Sequence, residues 1–381
     1  MDGDCTVIPL EELREYVASL VQLLRWDPSN ATTAKSALDR SRQEDFVDAL
    51  TEISALPPES IDMEIRRLLV DFGREEDGSA TASAPHLDHL VAALSCRDVL
   101  LKCKAANAIG SICTSRVAGQ RLLELKGDVL LPSLIKMATC KNTWAQGDAF
   151  FVLGWIVVIA DEAILQRLHR LVHTATRLLH KSLAPVDAPG SSSHRRKKRH
   201  AEKDDAHDEP PHDAEASEEE ANRRIYCLVF LLNLSQRDPA ALTHAWEPLL
   251  NALTALLHRL THDLSIWLNQ RSASEASSAS RDDSTLSDTS EWPELLRLTV
   301  TLLCSLAVHV DTAATKIRDV EVLAELQRIQ RDLERDEARA VFEDADVADA
   351  HERLRALRQT VDPSHADDRA SLPMDRQMDG G

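Results

Sequence analysis

Ala105-Ala106-Asn107-Ala108-Ile109-Gly110-Ser111-Ile112 returns, 44 residues later, as Ala149-Phe150-Phe151-Val152-Leu153-Gly154-Trp155-Ile156, with apolar residues at the same offsets. The ending of this pattern recurs in Val229-Phe230-Leu231-Leu232-Asn233-Leu234 and in Thr301-Leu302-Leu303-Cys304-Ser305-Leu306. It is also present near the start, in Asp48-Ala49-Leu50-Thr51-Glu52-Ile53. A single helix of this kind has apolar residues on both sides and no means of burying both. Stacked copies cover one another, which is the physical logic of an α-solenoid.

Around these copies the chain keeps a helical rhythm. Leu13, Val17, Leu20, Val21 and Leu24 line one face of a helix over residues 10–26, which Asp27-Pro28 stops. A second helix runs from about Gln43 to Leu56, closed by Pro57-Pro58, and a third from Ile61 to Phe72. Leu87 to Leu94 is a short amphipathic helix, Arg97-Asp98 a turn, and Val99 to Cys113 a longer helix. Gln120 to Leu125 then gives way at Lys126-Gly127-Asp128, and Val129 to Ile135 opens the next unit. Val320 to Leu333 is helical, and a strongly charged segment follows from Arg335.

Two stretches break this rhythm. Residues 184–221 combine Pro185, Pro189, Gly190, serines, a basic cluster and an acidic run, and residues 271–290 are rich in Ser, Asp and Thr. Both hold too little apolar surface to offset the entropy of ordering, so both are expected to be disordered insertions. The expected organisation has five parts: 1–72, N-terminal helices and a first degenerate repeat; 85–183, repeats; 184–221, an insertion; 222–334, repeats interrupted by 271–290; and 335–381, a charged helix and tail.

Composition narrows the function classes. Hydrophobic residues make up 43% of the 381, aromatics only 4%, and there are 11 glycines, a balance suited to helix packing. The net charge of −19 argues against nucleic-acid binding by the folded body. The seven cysteines (Cys5, Cys96, Cys103, Cys113, Cys140, Cys227 and Cys304) form no CxxC pair and read as reduced thiols. Met1-Asp2-Gly3-Asp4 starts no secretory signal, and the apolar run Phe150 to Ala160 is too short to span a bilayer. The expectation is a soluble protein of the cytoplasm, the nucleus or both, with no membrane contact.

No catalytic, cofactor or metal-binding constellation stands out among the motifs. His169, His173 and His180 read as three histidines on one surface helix, with no HExxH around them. P-loop, GxGxxG and GxSxG patterns are lacking, so the reading is a non-enzyme without cofactor or metal. The run Arg195-Arg196-Lys197-Lys198-Arg199, flanked by His194 and His200, has the form of a nuclear localisation signal. It reads equally well as a solvated charge run beside the acids that follow. Ser217-Glu218-Glu219-Glu220 and Thr285-Leu286-Ser287-Asp288 set hydroxyls ahead of acids, as acid-directed kinases require.

The layout of a short helix with a Leu-x-x-Leu core, a polar turn and a long helix ending in a pattern like Ala-Leu-x-Asn-Leu resembles the armadillo repeat. Residues 87–137 carry the resemblance best, 143–183 second best, and it spans 43–183 and 222–330. HEAT-type helix pairs are the near alternative. The resemblance implies an all-α, armadillo-like right-handed α-solenoid of about four to five repeats. In peptide-binding armadillo proteins the Asn of that motif lines a concave groove and bonds the backbone of an extended ligand. The matching positions here are Glu52, Ser111, Trp155, Asn233 and Ser305, of which Asn233 alone keeps the family residue.

These features imply a protein–protein interaction scaffold or adaptor. Its partner sits on the concave face, against Asn107, Ser111, Trp155 and Asn233. The acidic surplus favours a basic peptide as ligand. Leu23-Leu24-Arg25-Trp26 ahead of the repeats resembles the armadillo-type exchange factors of Hsp70, which makes a cochaperone the first alternative. A nuclear transport adaptor is the second.

Overall fold

The structure is a computed structural model that describes residues 9–28, 37–73, 84–181, 212–277, 291–319 and 322–361. Among them it contains α-helices, one 3₁₀ turn and no strand. α1 (Leu10–Leu23) precedes α2 (Ala37–Ala55) and α3 (Ser60–Asp71). α4 (Pro85–Ala93) leads to α5 (Val99–Thr114), and α6 (Arg116–Ala138) to α7 (Thr143–Ile159). A short helix followed by two longer ones then recurs three times. The first set is α8 (Glu162–Leu168), α9 (Leu171–Lys181) and α10 (His212–Arg237). The second is α11 (Ala240–Thr243), α12 (Trp246–Ser277) and α13 (Trp292–His309), and the third α14 (Asp311–Asp319), α15 (Val322–Leu333) and α16 (Asp344–Val361). Among the described residues the fold is all-α, built of recurring short and long helices.

The chain forms two compact units: Met1–Thr174 with Val229–Asp238, and Ala175–Leu228 with Pro239–Gly381. In the first, α2, α5 and α7 lie side by side as one layer, while α3 and α4 pack on α6 in a second. Small residues make this close approach feasible. Ala105, Ala106, Ala108, Ile109 and Gly110 of α5 are buried, as are Phe150, Leu153 and Gly154 of α7. The Phe150 and Phe230 rings meet at 5.3 Å between centroids, and a Cβ built on Gly154 would stand 3.8 Å from the Phe230 backbone nitrogen, so the end of α10 continues the layer. In the second unit α13 packs on α16, α12 and α14, and α15 on α12 and α16. The charged segment beyond residue 335 thus supplies the last long helix, burying Ala350, Leu354, Leu357 and Val361.

Several local expectations need correction. α6 is one helix of 23 residues that runs through Gly127 and Pro132, where a break was expected at residues 126–128. Burial of Leu122, Leu123, Leu130, Leu131 and Leu134 on one continuous face outweighs the lost hydrogen bond at Pro132. α10 begins at His212, inside the expected insertion, because alanines and glutamates beyond Pro210-Pro211 are helix formers with acids near the helix start. α12 likewise continues to Ser277, inside the expected loop. His169 falls in the turn between α8 and α9, so His169, His173 and His180 do not share one helix. The remainder of both insertions, with Arg195, Arg196, Lys197, Lys198, Arg199 and Thr285 to Asp288, lies outside the described residues.

Candidate functional site

Two caps set the register of the candidate surface. The Asp98 carboxylate accepts a hydrogen bond from the Leu101 N–H at 3.1 Å and starts α5. The Asn142 side chain does the same for the Ala145 N–H at 2.9 Å and starts α7, 44 residues later. Each helix carries a strip at steps of four, three and four residues, which helical geometry places on one face. On α5 the strip is Leu100, Lys104, Asn107 and Ser111; on α7 it is Trp144, Asp148, Phe151 and Trp155. Trp144 is 49% exposed and Trp155 36%, large apolar surfaces in a chain poor in aromatics.

The two strips meet the turn between α2 and α3 in a groove of about 500 Å³. Ser54, Leu56, Pro58, Met63 and Arg66 form one wall, Asn107, Ser111 and Thr114 the floor, and Phe151 and Trp155 the other wall. Phe151 lies over Gly110: a Cβ built there would stand 2.2 Å from the ring. Glycine at that position is what lets the aromatic wall sit so close.

Arg66 fixes the first wall. It is 1% exposed, and every guanidinium nitrogen has a partner. Nε donates to the Ser111 carbonyl at 2.7 Å, one terminal nitrogen to the Pro57 carbonyl at 3.0 Å, and the other to Ser111 Oγ at 3.1 Å and to the Leu56 carbonyl. Those carbonyls follow the C-terminus of α2 and lie in the last turn of α5, the negative ends of two helix dipoles. The two termini compensate the buried cation where no carboxylate bonds it. Burial pulls its pKa below the usual arginine range, opposed by the charge of Asp62.

Asp148, half-buried on α7, is the acid of the strip. Cys103 and Asn107, on successive turns of α5, are its polar neighbours across the seam. Burial pushes its pKa up to about 6, against the opposing influence of Cys103 and Asn107. Burial, helped by the Asp148 charge, raises the Cys103 thiol well above its ordinary value, so it stays a donor.

The structure brings three of the four sequence-derived residues into the groove. Asn107 is half-buried and lines the floor; Trp155 forms part of the wall. Ser111 is 6% exposed and held by Arg66, leaving it little freedom to meet a ligand. Asn233 stands outside the groove and donates from Nδ2 to the Gly154 carbonyl at 3.0 Å, joining α10 to α7. Sequence reasoning missed Arg66 and Asp148. The available signals were a cation in register with the buried Leu69 and Val70, and one acid inside an otherwise apolar helix.

His169 Nε2 pairs with Asp238 at 2.6 Å. Among the described residues no group of three His, Cys, Asp or Glu is placed to hold a metal ion. No helix of the described residues is long and apolar enough to cross a membrane.

No protein-family model matches the sequence, and no curated protein matches it. Similar solved structures include a designed armadillo repeat protein at 14% identity and TM-score 0.48, covering 90% of this chain and 99% of that one. A second, solved in complex with the peptide (KR)4, has 13% identity and TM-score 0.48, covering 91% and 99%.

Proposed function

We propose that this chain is a protein-binding scaffold that holds an extended segment of a partner along the α5–α7 strips and the groove beside them. The observation that carries this reading is the pairing of two strips in the same 44-residue register, one polar and one aromatic. Trp144 and Trp155 are three helical turns apart, about 16 Å at 1.5 Å per residue, which is the length of roughly five residues of extended chain. Exposed tryptophans are efficient anchors because a rigid ring buries much area at little entropic cost.

The test is affinity capture with the full-length chain and with a Trp144→Ala, Trp155→Ala double variant that keeps the parent's melting temperature. The variant is expected to lose the partner recovered by the parent, identified by mass spectrometry. Full retention would remove the α7 strip as the binding surface. Recovery of Hsp70 as the principal partner would favour a cochaperone, and recovery of transport receptors an adaptor for nuclear transport.

A further inference from the structure

The groove has apolar walls and hydroxyl groups whose own protons are in part already committed. Ser54 Oγ donates to the Leu50 carbonyl at 2.7 Å, and Thr114 Oγ1 to the Ser111 carbonyl at 2.7 Å. Both residues are half-buried, and their hydroxyls keep only acceptor lone pairs for the groove. Ser111 Oγ is the opposite case: it accepts from Arg66 at 3.1 Å and retains its O–H to give. We propose that the groove is a tyrosine pocket, which seats the phenol side chain of one ligand residue and turns away lysine and arginine. This rests on the reading of the groove as a protein-binding site and names the side chain that it takes.

Charge excludes the basic side chains. Among the described lining residues the one charge is the Arg66 guanidinium and none is a carboxylate; Asp62 and Asp148 lie outside the lining. A lysine or arginine head entering there gives up water, meets a cation and finds no counter-charge. The walls favour a ring. Phe151 and Trp155 are aromatic partners on one side, and Pro58 and the Met63 thioether stand on the other. Arg66 holds that second wall in place, with Nη1 3.9 Å from Met63 Sδ and 3.0 Å from the Pro57 carbonyl. A groove of about 500 Å³ has room for a whole ring, as sites for small molecules do. The hydroxyls then select among rings. A covered acceptor without a donor is unfavourable, so phenylalanine leaves Ser54 and Thr114 without partners. A phenol donates its O–H to one of those hydroxyls and accepts from Ser111, which serves both kinds of group at once. The gain over phenylalanine for one such neutral hydrogen bond is about five-fold in affinity.

The experiment reads the methyl group of Met63. Full-length protein labelled with ¹³C-methyl methionine is titrated with blocked pentapeptides that carry Tyr, Phe or Lys between two glycines on each side. The Met63 signal is identified by its loss in Met63→Leu. The tyrosine peptide is expected to shift that signal through the ring current of the seated phenol, with a Kd about five-fold below that of the phenylalanine peptide. The lysine peptide is expected to leave it in place. Ser54→Ala combined with Thr114→Val removes both acceptor hydroxyls and should bring the tyrosine and phenylalanine peptides to equal affinity. Equal affinities in the parent, a preference for the lysine peptide, or a Met63 signal that none of the peptides moves would each overturn the proposal. So would a tyrosine preference that survives in the double variant. None of these outcomes decides whether the tryptophan variant loses its partner, so the scaffold reading is tested separately.

Discussion

The α5–α7 seam of the first unit and the α13–α16 seam of the second join long helices of the same repeat by different means. At α5–α7 the contact is made by alanine, glycine and phenylalanine, with a single half-buried carboxylate, Asp148, on α7. At α13–α16 the leucines of α13 meet a sparse apolar set on α16, and polar groups lace the edge. Arg353 of α16 donates to Thr301 Oγ1 of α13 at 2.7 Å and to Asp349 of its own helix at 2.6 Å. The first seam is specified by volume and the second by leucine burial and charge. The volume-specified seam is also the one that leaves tryptophan on its surface, which is why the candidate site belongs there.

That contrast predicts very different costs for removing an arginine. Arg66→Met strips donors from three carbonyls and one hydroxyl around a fully buried position. The expected loss is about 3 kcal/mol or more, since each buried acceptor left without a partner costs about 1–3 kcal/mol. Arg353→Met removes bonds at a half-exposed edge that water re-satisfies, and should cost about 1 kcal/mol. Denaturant unfolding of both variants checks the ratio. Equal losses would mean that Arg66 is not the clamp of the first unit.

The second prediction concerns pH. Asp148 titrates at about 6 in the folded protein, against an ordinary value of 3.8. The folded state therefore binds more protons than the unfolded one between those values, and this group makes stability fall as pH rises through that window. Above about pH 6 the penalty is fully present. A two-unit shift corresponds to at most about 3 kcal/mol, and partial solvation reduces that to about 1–2 kcal/mol. Asp148→Asn should be more stable than the parent by that amount near neutral pH and lose the advantage below about pH 4. A constant difference across the range would assign the effect to packing instead of charge.

How much of this was legible in the sequence follows from the same contrast. The α5–α7 seam repeats its apolar offsets after 44 residues, so the two strips, Asn107 and Trp155 could be placed from the register alone. α16 has four buried side chains among many charges, and its packing depends on the leucines of α13, which its own pattern does not reveal. The start of α10 is an acidic run that local composition assigns to a linker, although helix propensity in that run is high. Arg66 was illegible for a stronger reason. Its partners are 45 residues away on α5 and in the turn after α2, and a lone arginine on an amphipathic helix reads as solvated. At Asn233 the residue type matches the family motif, while the Gly154 carbonyl, 3.0 Å away, accepts from its amide, a partner that the sequence pattern does not reveal.

The smallest effect expected is also the sharpest test of a seam specified by volume, because two glycines of one unit should respond with opposite signs. Gly127 lies mid-helix in α6, and a Cβ there would meet nothing within 4 Å. Gly127→Ala removes conformational freedom from the unfolded chain and should stabilise by about 0.5–1 kcal/mol. Gly110 gains the same entropic benefit, but its Cβ would stand 2.2 Å from Cε1 and 2.7 Å from Cδ1 of Phe151. Either that ring swings into the groove or the helices part, and such overpacking costs about 1–3 kcal/mol, which leaves Gly110→Ala net destabilised by about 1 kcal/mol. Shortening the opposing side chain should relieve the clash, so Gly110→Ala with Phe151→Leu should lie closer to the parent than the sum of the two single variants. Thermal melts of the four proteins decide this. Simple additivity would show that the ring and the glycine are not in the contact that shapes the groove wall, and stabilisation by Gly110→Ala alone would show that the seam is set by something other than volume.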